Sequence, residues 1–503
     1  MDRRSRRETW RDVLTAQTTG ALPPMRKTLF DKLAYGFGSI AFGVKDNGFT
    51  VLLMIFYNQA LGLPAKSVGL AIMIALIVDA FADPIVGNWS DSMRSRLGRR
   101  HPFMYAAALP VAISYFFLWN PPGGLGEGAL FAYLLGVTII IRLCITMYEI
   151  PSSALVVDLA HDYDERTSFL SFRYFFGWIG GLSMGIAAFS LFLRPSTQDP
   201  SGQLNLQGYF YYGLTASVLM FVAIVVSALG TQRHIPTFRQ PPPRRAFVLS
   251  RSVRELRETL THRPFLILLG SGLFSYASAG IAAAILTYFR IYFWELSGDQ
   301  ISLLMVGNFA SVVVALFLAP KLGAAFGKKT AIILFSLAGM SLSPLPYFGR
   351  VLDLVPANGT PALFWFLFGT SFVNTVIVMS AGILGSSMMA DVVEDSATHT
   401  GRHSAGLFFS ANAFILKCVS GIGVFGAGLI LDAVDFPQGA KRGEVPQNIL
   451  TNLAILEPLV IFSLSAFALI FIINFPITRK VHQANLLKLS LHNRLGATND
   501  TTI

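Results

Sequence analysis

Long apolar stretches separated by short polar ones run through the whole chain. Twelve of them are long enough to cross a hydrocarbon core of roughly 30 Å as helices. They cover residues 33–60, 66–89, 102–119, 128–159, 168–193 and 208–230, and after a break 264–293, 299–322, 329–348, 361–390, 404–433 and 449–475. The break is the polar, proline-containing stretch QRHIPTFRQPPPRRAFVLSRSVRELRETLTHR, which leaves six spans on either side. Its later part sets Val253, Leu256 and Leu260 on one side and arginines elsewhere, the pattern of a short amphipathic helix on a membrane surface. The predicted organisation is a basic tail over 1–32, a six-helix bundle over 33–231, a central loop over 232–263, a second six-helix bundle over 264–476 and a tail over 477–503. The fold class is therefore an all-α membrane protein with twelve transmembrane helices in two bundles. The first tail has no apolar core segment and no small-residue cleavage site, so it is expected to stay attached as a cytoplasmic tail.

Composition agrees with a bilayer as solvent. Apolar residues make up 53% of the chain and charged residues 13%, against about a quarter charged in a soluble domain. The 44 glycines and 42 phenylalanines suit helices that approach closely through small residues and fill the gaps with rings. The net charge of +11 does not point to nucleic acid, because the basic residues fall in short loops between the spans. The N-terminal tail, Arg94, Arg96, Arg99, Arg100, the central loop, Lys328, Lys329, Arg479 and Lys480 all fall on one side. The other side carries little beyond Arg194, Arg350, Lys441 and Arg442. Both termini are expected in the cytoplasm, as an even number of spans requires. Cys144 and Cys418 lie inside apolar spans with no metal-ligand spacing, so neither a disulfide nor a metal centre is indicated.

The chemistry is concentrated in a few charged residues at membrane depth. Asp79 and Asp83 stand four residues apart near the end of the second span, on one face of a helix and just before Pro84. Each ionisable group at that depth costs roughly 2.5 to 3.5 kcal/mol on insertion scales. Two on one face point to a cation site. Lys417 lies thirteen residues after Ser404, roughly 20 Å along a helix at 1.5 Å per residue, which is deeper than snorkelling explains. A functional charge partner for Asp79 or Asp83 is expected there. A faint repeat links the halves. AlaLeuValValAspLeu with Asp162, Asp164, Glu165 and Arg166 follows the fourth span, and MetAlaAspValValGlu with Asp395 and Arg402 follows the tenth. The run Asp91 to Arg100 after the second span has an echo in Gly327, Lys328 and Lys329 after the eighth. Asp91, Arg94, Arg100, Asp158, Arg166, Asp391 and Arg402 are expected to form a cytoplasmic gate of ion pairs made in one state and broken in another.

Four segments in order resemble the glycoside-pentoside-hexuronide:cation symporters, the melibiose permease-like branch of the major facilitator superfamily. They are YGFGSIAFGVKDNGF, DAFADPIVGNWSDSMRSRLGRRHPF, YEIPSSALVVDLAHDYDERTSFLSFR and MADVVEDSATHTGRHSAGLFFSANAFILK. The resemblance implies the major facilitator fold. It implies cation-coupled symport of a sugar, glycoside or sugar acid by alternating access between the halves. It makes Asp79 and Asp83 cation ligands, with Thr146 adding a hydroxyl oxygen, and these three are the metal ligands if the ion is Na⁺. Where sodium-using members carry an asparagine, this chain has Ala82, which leaves Na⁺ and H⁺ both open. The resemblance also assigns Asp46, Glu149, Arg173, Asn412 and Lys417 to the solute site, a mixed set of donors and acceptors suited to a polyol. The permease's helix-four tryptophan is Ser153 here, with Phe175, Phe176, Tyr148 and Tyr276 as possible aromatic replacements.

No enzyme is indicated, since the P-loop and HExxH patterns are absent. The expected partners are a small-molecule solute and membrane lipid, with no nucleic acid, no cofactor beyond the coupling ion, and a monomer as the working unit. The expected place is the plasma membrane, a bacterial inner membrane. The alternative cargo is an amphiphile such as a lysophospholipid; a non-transporting sensor would have no need of the full charged set.

Overall fold

A backbone in hydrocarbon has no water to bond, so each apolar stretch satisfies its own N–H and C=O groups by becoming a helix. The computed structural model describes residues 28–160, 163–195, 202–238, 261–400, 405–485 and 487. Among these residues twelve helices are long and apolar enough to span a membrane: α1 (Leu29–Ala60), α2 (Ala65–Ser92), α3 (His101–Trp119), α4 (Glu127–Leu159), α5 (Glu165–Phe192), α6 (Leu206–Gln232), α7 (Arg263–Phe293), α8 (Gly298–Phe326), α9 (Lys328–Val351), α10 (Pro361–Thr398), α11 (Phe408–Ala433) and α12 (Gln447–Ile473). The sixth span ends at Gln232 and the seventh begins at Arg263. The surface helix expected around Val253 to Leu260, and both chain ends, lie outside the described residues. We call the end where α1 begins the tail end, and the end where it finishes the far end.

Local chemistry sets the helix ends. Thr28 caps α1, its backbone N–H and hydroxyl donating to Asp31 Oδ2 at 2.7 and 3.0 Å. Ser297 and Gln300 exchange hydrogen bonds of 3.2 and 2.9 Å at the start of α8. Gly327, at φ 84°, turns the chain directly from α8 into α9, a conformation that glycine adopts without a side-chain clash. The far ends of α1, α5 and α7 finish in wider π-helical turns, Phe56–Ala60, Ala188–Phe192 and Phe289–Phe293. The apolar pattern gives no sign of these turns.

The two halves meet through α2 and α11, which run antiparallel. Gly69 lies against the backbone of Val424 and Phe425, Gly421 against Met73 and Leu76, and Gly428 against Ala65. A Cβ on Gly428 would stand 2.5 Å from the Ala65 carbonyl oxygen. Small residues therefore let the backbones touch, which is where packing energy between helices comes from when lipid removes the hydrophobic incentive. Polar groups complete the far-end closure. Lys66 pairs with Asp432 at 3.0 Å, Tyr288 donates to Asn58 Oδ1 at 2.8 Å, and Gln59 joins Pro437 and Ala440 at 3.1 and 3.0 Å. On the opposite flank Ser190 of α5 meets Ser302 of α8 at 2.9 Å.

Among the described residues nothing comparable joins the halves at the tail end. Among the described residues, the α2–α11 contact reaches Phe81 and Phe414, whose rings lie 4.9 Å apart. Beyond it Ile85, Trp89 and Phe409 are exposed. The ion pairs of that end stay within one half: Arg99 and Arg100 with Asp158, both at 2.7 Å, and Lys328 with Asp391 at 2.6 Å. These clusters repeat one another. In each half a basic residue that follows the second or eighth helix grips an aspartate near the end of the fourth or tenth.

Gly428→Val is expected to pry the far-end seam apart. In a background with Cys144 and Cys418 replaced by serine, a cysteine at Met73 should be shielded from an impermeant maleimide added at the far end. It should become reactive when Gly428→Val is added. Unchanged labelling would show that the glycine contacts do not hold the seam.

Candidate cation and solute site

The acidic pair sits where α2 and α11 are still in contact. A turn of α helix puts Asp79 and Asp83 on one face, and Pro84 removes a backbone N–H immediately after them. Asp79 is 2% exposed. Thr146 of α4 donates to Asp79 Oδ1 at 2.7 Å and reaches Asp83 Oδ1 at 3.3 Å. The expected ligand set of Asp79, Asp83 and Thr146 is thus brought together.

Two basic groups occupy the remaining oxygens. Arg142, one turn before Thr146 on α4, places Nη1 2.9 Å from Asp79 Oδ2, with its guanidinium 4.9 Å over the Phe49 ring. Lys417 of α11 places Nζ 2.9 Å from Asp79 Oδ2 and 2.7 Å from Asp83 Oδ2. Two negative charges therefore meet two positive ones. The members differ in wetness, with Asp79 and Arg142 side chains 3% and 7% exposed and Asp83 and Lys417 31% and 29%. The Asp79–Arg142 pair is dry, whereas the Asp83–Lys417 pair is open to water. Lys417 also ties one half of the molecule to the other, as its depth in the sequence implies.

A second charged group lies alongside on α1, α4 and α5. Lys45 is buried and pairs with Asp46 at 2.6 Å, while the Asp46 side chain is 63% exposed. Glu149 and Asp79 both lie within electrostatic reach of Lys45, so the two groups form one field. Arg173 donates to Ser152 Oγ at 3.1 Å and to the Glu149 carbonyl at 3.5 Å. Its guanidinium stacks 4.9 Å over Phe42. Asn412 is half-buried on α11, five residues before Lys417. The aromatic replacements are less favourable. Tyr148 is fully buried, with its hydroxyl at Gly38 and Ser227 inside the first bundle, Phe176 packs on Phe37, and Phe175 and Tyr276 are exposed. Ser153 bonds its own helix at Ile150 O, 2.8 Å.

The family description "MFS/sugar transport protein" matches residues 34–479. The chain belongs to this family. Among its relatives is a putative glycoside/cation symporter, YagG, of Escherichia coli, 26% identical over 87% of this chain and 90% of that protein. The isoprimeverose transporter of Lactiplantibacillus pentosus is 22% identical over 88% of both chains. Of solved structures, the inward-open xylose transporter XylE from E. coli superimposes with a TM-score of 0.61 at 14% identity, over 89% of this chain and 96% of that one. That likeness concerns the fold alone. As a member of the family the chain is an integral membrane protein with the major facilitator architecture, and its partner is a small-molecule solute.

The gate residues divide. Asp158 collects Arg99 and Arg100, Arg100 reaches Asp91 at 3.5 Å, and Asp391 holds Lys328 and His482 at 2.6 and 3.4 Å. Burial between these groups lowers the pKa of Arg100 from its ordinary value, with Asp158 opposing the shift. Arg94 and Arg166 are exposed and join none of these pairs, and Arg402 lies outside the described residues. No member of the set pairs across the halves among the described residues. Sequence reasoning passed over Arg142 and Lys45. Both are ionisable residues inside apolar spans, the same signal that picked out Asp79.

Arg142→Leu leaves Asp79 buried with Lys417 as its single cation. The expected loss is near or below the lower end of the roughly 3–5 kcal/mol seen when one partner of a buried pair is removed. Arg142→Leu combined with Asp79→Leu should recover most of it in thermal unfolding of the purified protein. A single variant as stable as the double would show that the pair is not coupled.

Proposed function

We propose that this chain is a secondary carrier that moves a sugar, glycoside or sugar acid inward together with H⁺, by alternating access. The observation that carries the coupling is the Asp83–Lys417 pair, partly wet and bridging the halves. Family membership and relatives named as symporters support solute transport. The mixed donors and acceptors around Asp46, Glu149, Arg173 and Lys417 suit hydroxyl-rich solutes. They suit the alternative amphiphile less well, since the groups in contact with the acidic pair, Arg142, Thr146 and Lys417, are charged or hydroxyl-bearing.

The choice of ion follows from charge. Arg142 already neutralises one carboxylate of the pair, and this leaves a single negative charge for Lys417 and the coupling ion to share. Na⁺ needs several oxygens, and Asp79 Oδ2 is shared by two basic groups while Ala82 offers none. A proton needs one carboxylate. When α2 and α11 separate at the far end, Lys417 leaves Asp83. Asp83 then takes up H⁺ in place of the ammonium as its balancing charge. When the seam closes again, Lys417 returns to Asp83 and displaces the proton toward the open tail end. Each state thus has contacts the other lacks, which is what a coupled carrier requires.

The tail end is the cytoplasmic one, supported by the basic residues crowded into its loops, and the state described here faces inward. The bacterial relatives favour a bacterial inner membrane. One chain supplies both halves of the site, and the working unit is the monomer.

Uptake into vesicles, measured over a panel of glycosides and uronides with pH and Na⁺ gradients imposed separately, tests the reading. Accumulation is expected with the pH gradient and not with Na⁺ alone. Asp83→Asn should stay folded and inserted and equilibrate solute without accumulating it. Accumulation driven by Na⁺ alone, or wild-type accumulation in Asp83→Asn, would overturn the proton assignment.

A further inference from the structure

Away from the charged site, the second bundle holds an arginine without a counter-charge. Arg290, 6% exposed, stands in the π-helical turn Phe289–Phe293 that ends α7. Among the described residues no carboxylate lies within ion-pairing distance of it, and Tyr347 is its one titratable neighbour. Glu457 of α12, buried at 4% exposed, forms no ion pair with it. A guanidinium does not give up its proton, so it cannot escape burial by becoming neutral. A buried charge of this kind calls for a partner.

The partner has a place to sit. Arg290 lines a cavity of about 110 Å³ between α7, α8, α9 and α10, together with Trp294, Ser343, Tyr347, Thr370 and Asn374. The other polar walls supply donors. Ser343 and Tyr347, which carry hydroxyls, line the space, and Asn374 has a buried Oδ1 with no partner, so that turning its amide over presents N–H groups instead. Arg350, 5.3 Å from the Trp294 ring, adds positive potential at the rim. We propose that this cavity binds a small monovalent anion of the class of chloride or a short carboxylate, with Arg290 as its counter-charge. The volume admits an ion of a few heavy atoms, and none of the residues around Asp79 lines it, so this is a separate site. It fixes the far end of α7 to α9 and α10, within the half that moves against α2.

The test uses the purified full-length protein at constant pH, ionic strength and Na⁺, with sodium HEPES replaced stepwise by sodium chloride or sodium formate. Thermal unfolding of the wild type is expected to move to higher temperature and saturate with chloride, formate or both. Arg290→Gln should raise the half-saturating concentration at least about ten-fold or abolish the shift. Ser343→Leu, which fills the cavity and keeps the arginine, should abolish it as well and covers the case in which Arg290→Gln fails to fold. A wild-type midpoint indifferent to all three anions overturns the proposal, as does a shift that survives undiminished in the folded variants.

Discussion

One ammonium group holds the molecule's two halves in register at membrane depth. Lys417 meets Asp79 and Asp83 at 2.9 and 2.7 Å from across the α2–α11 seam. In a medium of low dielectric, a charge separated from its partner must find another or disappear. Opening that seam therefore has a chemical consequence as well as a mechanical one. Arg142 makes the consequence small enough to handle, because it satisfies Asp79 whether or not Lys417 is present. Asp83 has no second cation within ion-pairing distance among the described residues.

The rest of the architecture serves the same contact. Gly69, Gly421 and Gly428 bring α2 and α11 close enough for Lys417 to span them. Far-end bonds through Asn58, Gln59 and Tyr288 lock the closed face. At the tail end the charges are satisfied inside each half, around Asp158 and Asp391, so the halves separate there without stranding an ion. The repeated use of a basic residue on an aspartate near the end of the fourth or tenth helix makes the two halves mechanically alike, as a rocking mechanism requires.

Much of this was legible in the residues. Span lengths, the central break and the placing of Asp79, Asp83 and Thr146 on facing helices all follow from apolar periodicity, spacing and resemblance. The depth of Lys417 identified it as a partner to the acidic pair before its position was known. Other features depended on information that sequence spacing does not carry. Arg142 faces Asp79 only because α4 packs its first half against α2, and no local pattern reveals a contact sixty-three residues distant. The pairing of the gate charges within each half, rather than between halves, belongs to the state of the carrier and not to the sequence alone. The π-helical turns that carry Asn58 and Arg290 depend on far-end packing, which likewise leaves no periodic trace.

Proton exchange on solute binding is the most direct measure of the central claim, that Lys417 and a proton compete for Asp83. With weakly buffered purified protein and a pH-sensitive dye, solute binding to the wild type should change the bound proton count by close to one per chain. Asp83→Asn, still binding solute, should show no change. Binding with no proton exchanged in the wild type, or the same exchange in Asp83→Asn, would contradict the account.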